Sequence, residues 1–131
     1  MKEGETLKPL VWVGASRREL LDFPEEVVHA VGVVLLRVQY GDSPSAVKPL
    51  RGFGGAGVLE VIEDDDGSTY RTVYTVKFKG RVYVLHAFQK KSKHGIATPK
   101  PVLDLIKQRL KWAQALHAEW EQQNAKAHQS N

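Results

Sequence analysis

The sequence predicts an α+β domain of order β-α-α-β-β-β-α: an antiparallel meander sheet with two N-terminal helices on one face and a C-terminal helix. Three observations predict it. Apolar residues recur at helical spacing between Pro24 and Gly41. Three β-like runs, 58–63, 69–78 and 81–88, then follow one another with only turn residues between them. Helical spacing returns from Thr98 onward. Helices first and consecutive strands afterwards is the pattern of α+β rather than of alternating α/β units.

Residues 8–13, KPLVWV, read as a short first strand, and Gly14 and Ala15 turn the chain. Ser16 is placed to cap a helix over 17–23, with Glu19 at the third position of a capping box. Pro24 fits the first turn of the second helix, and Glu25 and Glu26 lie near the positive end of its dipole. Val27, Val31, Val34, Leu35 and Val38 form its apolar face, and Gly41 stops it. Residues 42–57 hold two prolines and four glycines and read as a long loop. The acidic DDDG at 64–67 separates the first two strand runs, and Lys79–Gly80 makes a tight hairpin turn between the last two. In the last run Tyr83, Leu85 and Ala87 alternate with Val82, Val84, His86 and Phe88; neither face is purely polar, so both are expected to be covered. Thr98 caps the last helix with Pro99 at its first position, and Val102, Ile106, Leu110, Ala113, Leu116 and Trp120 form its stripe. A single domain is expected over 1–120, with 121–131 a polar, fraying tail.

Charge is unevenly distributed. Residues 1–76 carry a balance of −4, residues 77–111 a balance of +9, and residues 112–131 a balance of −1. A basic third of this kind points to a polyanionic partner, most often nucleic acid. The absence of cysteine excludes disulfides and cysteine nucleophiles. GFGGAG at 52–57 has no lysine in the position that a phosphate loop needs and leads into a strand. No histidine pair sits at i, i+4 with a companion carboxylate, so neither a metal nor a cofactor is expected. The opening MKEGETLKPL is polar, with no secretory pattern, and no run spans a bilayer, so a cytoplasmic protein with no membrane partner is expected.

One cationic group stands out. Arg71 lies inside a strand run, where an arginine needs a partner or a use. Pairing around Lys79–Gly80 puts Arg71 opposite about position 88, near Lys90, Lys91 and Lys93. Converging cations make a candidate phosphate site. The alternative is a structural ion pair of Arg71 with Glu60 or Glu63 on the neighbouring strand.

The motifs KPLRGFG, YRTVYTVKF and YVLHAFQKKSKHGIATP, followed by a basic helix, closely resemble the phage-derived HigB-like branch of the RelE/ParE toxin superfamily, over about residues 8–118. The resemblance implies a RelE-like fold and the toxin of a type II toxin–antitoxin system: an mRNA endonuclease that uses no metal and stops translation, usually on the ribosome. It implies a cognate antitoxin, often a helix-turn-helix DNA-binding protein. The 2′-hydroxyl would attack the adjacent phosphate and the 5′-oxygen would leave. By position Arg71 matches the arginine that binds the transition-state phosphate, and Lys90 or Lys91 the second cation. Tyr70, His86, Lys93 and His94 are RNA contacts or acid/base candidates, His94 foremost among the histidines, while His86 reads equally well as a satisfied strand histidine. Lys48 and Arg51 match a basic loop that touches RNA or ribosome, and Lys100 extends that surface. The sequence departs from the pattern at Glu60 and Ile62, where many RelE-type members carry cations, and in lacking a tyrosine after the last strand. The alternative implied is a non-enzymatic basic module of the same fold, a gyrase-poison-like protein or an inactive phage remnant.

Overall fold

The computed structural model describes residues 7–54, 57–90 and 98–129. The elements run β1 (Leu10–Trp12), α1 (Ser16–Leu21), α2 (Glu25–Gln39), β2 (Val47–Pro49), β3 (Val58–Asp65), β4 (Ser68–Thr75), β5 (Val82–Lys90) and α3 (Lys100–Gln129). One five-stranded sheet has the order β1-β5-β4-β3-β2. The predicted antiparallel meander is β3-β4-β5. The sheet as a whole is mixed, because β1 runs parallel to β5 and pairs Val11 with Tyr83.

α1 and α2 cover one face. Leu20, Val27, Val31, Val34, Leu35 and Val38 pack there with Val61, Tyr74, Val82 and Val84. Valine is up to roughly 0.7 kcal/mol poorer than alanine at a helical position. Full burial of its side chain contributes about 1.5–3 kcal/mol, so packing decides the conformation of α2. α3 covers the other face, where Ile106 and Ala113 meet Val58, Val73, Tyr83 and Leu85. Among the described residues no helix is long and apolar enough to cross a membrane.

Several expectations are corrected. The loop read over 42–57 contains β2, which adds to the edge of the sheet with Lys48 opposite Glu60 and Pro49 opposite Leu59; an edge strand tolerates the proline because its outer side needs no ladder donor. The hairpin expected at Lys79–Gly80 is wider, since β4 ends at Thr75 and β5 begins at Val82. Gly80 still serves the turn: its φ is +93°, and a Cβ there would stand 3.2 Å from the Trp120 ring. The capping box at Ser16 does not form. Ser16 is buried inside α1, Ala15 is the N-cap, and no side chain caps the helix. The Glu19 carboxylate is drawn instead to Arg109 and His86.

The buried stripe of α3 is also rotated from its predicted position. Arg109 and His117 are buried with Ile106 and Ala113, whereas Leu116 is exposed. His117 bonds the Tyr83 hydroxyl through Nδ1 at 2.9 Å and stacks on Phe78, so burial is compatible with its polarity. The helix continues as one piece through the stretch read as a polar tail, as far as Gln129.

β5 does not alternate strictly. Tyr74 pairs with Val84 but Val73 pairs with His86, so β5 holds one extra residue at this point, a β-bulge. Ala87 therefore joins Val82 and Val84 on the α2 face, and Phe88 joins Tyr83 and Leu85 on the α3 face, the reverse of the alternation read from sequence.

Candidate functional site

Beyond the bulge, Arg71 lies directly opposite Phe88 on β5 and opposite Ile62 on β3. The sequence-predicted register of Arg71 is the one observed. Glu60 sits two residues along β3 on the same face. Arg71 donates to Glu60 Oε1 from Nη1 at 2.8 Å, with the Glu60 side chain only 7 % exposed. Of the two carboxylates weighed as partners, Glu60 is the one bonded; Glu63 is paired with Tyr70. The pair is half-closed: Glu60 Oε2 and Arg71 Nε make no hydrogen bond among the described residues.

This pair lies in a groove of about 400 Å³ lined by Lys48, Arg51, Glu60, Arg71, Lys90 and Thr98, with an apolar floor that includes Ile62 and Leu103. Lys48 and Arg51 are exposed at the rim, carried there by β2 and the turn after it. Lys90 is buried at the last position of β5. Removal from water lowers its pKa, and the Arg71 guanidinium lowers it further, while the Glu60 carboxylate acts in the opposite sense. The groove thus surrounds one carboxylate with four cations, an arrangement suited to holding a phosphate and moving a proton beside it.

The remaining sequence candidates are distributed differently. Tyr70 is buried on the opposite face, its ring 4.9 Å from that of Phe23, and lines a separate open cleft with Asp22 and Gln89. His86 is held by Glu19 and stacked on Phe88, as the satisfied-histidine reading has it. Lys100 is exposed and pairs with Asp104 at 3.1 Å. Lys91, Lys93 and His94 lie outside the described residues; Lys90 and Thr98 both line the groove. Among the described residues no three metal-ligating side chains converge.

Two features were not read from the sequence. Glu60 figured only as a departure and a structural partner; the signal was a glutamate inside a β run facing an arginine inside the next. The second is a buried ionic cluster. Arg109 of α3 grips both carboxylate oxygens of Glu19, one through Nη1 and the other through Nη2 at 3.0 Å, and also donates to the Leu85 carbonyl at 2.9 Å. His86 Nδ1 stands 2.9 Å from Glu19 Oε1. Burial alone would raise the Glu19 pKa, but the hydrogen bonds and charges of Arg109 and His86 together hold it below the ordinary value.

The family described as Phage derived protein Gp49-like matches residues 18–111, most of the chain. The chain belongs to this family, and the match supports the relationship to RelE/HigB-type toxins that YRTVY and LHAFQKKS imply. No curated protein matches it. Among solved structures, the toxin–antitoxin complex RelBE2 from Mycobacterium tuberculosis is similar at 20 % identity and a TM-score of 0.47, over 65 % of this chain and 100 % of that one.

Proposed function

We propose that this chain is the toxin of a toxin–antitoxin pair, an endoribonuclease that cuts mRNA on the translating ribosome and so halts translation. The observation that carries the reading is the half-closed Glu60–Arg71 pair inside a groove rimmed by Lys48 and Arg51 and lined by the buried Lys90. Membership in the Gp49-like family supports it.

RNA cleavage without a hydrolytic water needs three services. Glu60 Oε2 takes the proton of the ribose 2′-hydroxyl, and the freed oxygen attacks the adjacent phosphorus. Arg71 and Lys90 neutralise the charge gathering on the phosphate oxygens. The P–O5′ bond breaks, and the leaving 5′-oxygen takes a proton from Lys90 or, from beyond the described residues, His94. The products are a 2′,3′-cyclic phosphate and a 5′-hydroxyl end. Lys48, Arg51 and Lys100 contact RNA or ribosome along the strand, and Lys91 and Lys93 add charge. The chemistry draws on protein groups alone, so cleavage is expected to persist in EDTA. The partner that silences the toxin is an antitoxin, expected to be a helix-turn-helix DNA-binding protein.

A second reading has its own observation: the same 2.8 Å contact neutralises Arg71 and serves a purely binding module as a structural pair. Mapping mRNA 5′ ends after a short induction pulse separates the two. New 5′-hydroxyl ends that vanish with Glu60→Gln and Arg71→Ala support the nuclease; growth arrest without new ends supports the module.

A further inference from the structure

We infer that the Glu19–Arg109 pair is a positioning device: it holds the β5 bulge that turns Lys90 onto the face of Arg71. The inference rests on the groove reading above, and its test is built on backbone register so that the two fail separately.

The argument begins with strand parity. Before the bulge, Val82 and Val84 face α2 while Tyr83 and Leu85 face α3. After it, Ala87 faces α2 and Phe88 faces α3, so Lys90 follows Phe88 onto the Arg71 side. Without the extra residue every later side chain of β5 exchanges faces. Lys90 would then stand on the face of Tyr70, and the groove would lose its buried lysine.

A bulge leaves backbone groups out of the ladder and needs them satisfied. Here they lie along the edge of β5 beyond the end of β1 at Trp12. The Leu85 carbonyl accepts from Arg109 Nη1 at 2.9 Å, and the Ala87 N–H donates to Glu19 Oε1 at 3.4 Å. The residue between them, His86, is fixed to the same carboxylate. One ion pair, its halves supplied by α1 and α3, thus holds the carbonyl of the extra residue, Leu85, and the N–H of Ala87 just beyond it. Arg109 is itself confined: a Cβ on Gly14 would come within 3.1 Å of its Nε. Neither Glu19 nor Arg109 lines the groove, so any effect on it must pass through β5.

The test is the cross-strand register of the full chain by NMR, with Arg109→Met as the main variant. The expected result is loss of the Arg71–Phe88 and Thr69–Lys90 contacts, gain of an Arg71–Ala87 contact, and retention of Ile62–Arg71 between β3 and β4. The Ala87 amide exchanges at least tenfold faster, and Arg109→Lys, which keeps a donor for Leu85, restores the wild-type register. Affinity for a 2′-O-methylated RNA oligonucleotide falls at least tenfold in Arg109→Met and recovers in Arg109→Lys. An unchanged register in folded Arg109→Met overturns the inference. If Arg109→Met does not fold, Glu19→Gln decides: faster exchange at Ala87 but not at Val84 supports the inference, and unchanged exchange at both overturns it. Wild-type protein that fails to bind the RNA sinks the groove reading, while the register data still judge the bulge.

Discussion

Two glutamate–arginine pairs are built against the same sheet, and they are closed to different degrees. Glu19 and Arg109 meet through both carboxylate oxygens and both terminal guanidinium nitrogens, and the cluster also binds His86 and two backbone groups of β5. Glu60 and Arg71 share a single contact and leave Oε2 and Nε without protein partners among the described residues. In the closed pair both carboxylate oxygens are spent on the fold, although Arg109 Nε, like Arg71 Nε, has no hydrogen-bond partner among the described residues. A half-closed pair keeps capacity for a ligand, at the cost of a buried polar atom that the fold alone does not satisfy. Completeness of pairing at the carboxylate, more than residue type, separates the structural ion pair from the candidate site.

Breaking the closed pair should have the largest effect. Arg109→Met leaves the Glu19 carboxylate uncompensated and should cost about 3–5 kcal/mol in urea denaturation. The double variant Glu19→Leu/Arg109→Met should recover little of this, because the Leu85 carbonyl and Ala87 N–H stay without partners. The half-closed pair should behave in the opposite way. Arg71→Ala should lower single-turnover RNA cleavage by a factor on the order of 10²–10³ and relieve growth arrest. Glu60→Leu/Arg71→Met should match wild-type stability within about 1 kcal/mol, since a well-packed apolar pair replaces buried charges without loss, yet be inactive. Glu60→Gln, which keeps the contact to Arg71 and removes the base, should slow cleavage about 10²-fold with unchanged circular dichroism.

A pH series sharpens the contrast further. The Glu19 pKa is held below the ordinary 4.5, so its ionised form contributes stability above that value. The contribution is lost as pH falls through the lower folded value. Thermal melts of wild type and Glu19→Gln should therefore differ at neutral pH and converge in acid; a constant gap would show that Glu19 is not ionised in the fold. The smallest effect is expected from Lys100→Ala, which removes an exposed i, i+4 pair and should cost no more than about 0.5 kcal/mol in the same urea assay.

The elements that periodicity controls were legible. The α2 face of Val27, Val31, Val34, Leu35 and Val38 is buried as read, because a 3.6-residue repeat maps directly onto one side of a helix. The position of Arg71 opposite Phe88 was legible for a less direct reason. The tight turn assumed for the hairpin is absent, but the bulge adds the residue that restores the same pairing. The features that were missed depend on contacts distant in sequence. Arg109 and His117 sit at helical positions where a polar residue reads as surface, and the partner of Arg109 lies 90 residues away in α1. Glu60 looked like a gap in a cationic pattern, because its value depends on Lys48, Arg71 and Lys90 arriving from three other segments.

α3 has one more consequence. Its middle is fixed by Arg109, and about two to three turns further on His117 and Trp120 interlock with Arg81, the Arg81 guanidinium 5.0 Å from the Trp120 ring. Residues 121–127 are exposed and still helical. At about 1.5 Å per residue the stretch from Trp120 to Gln129 extends roughly 13 Å past this clasp. Mechanically it is an outrigger braced at two points, so a dye or spin label at Asn124 would report the orientation of the whole domain rather than the wobble of a chain end.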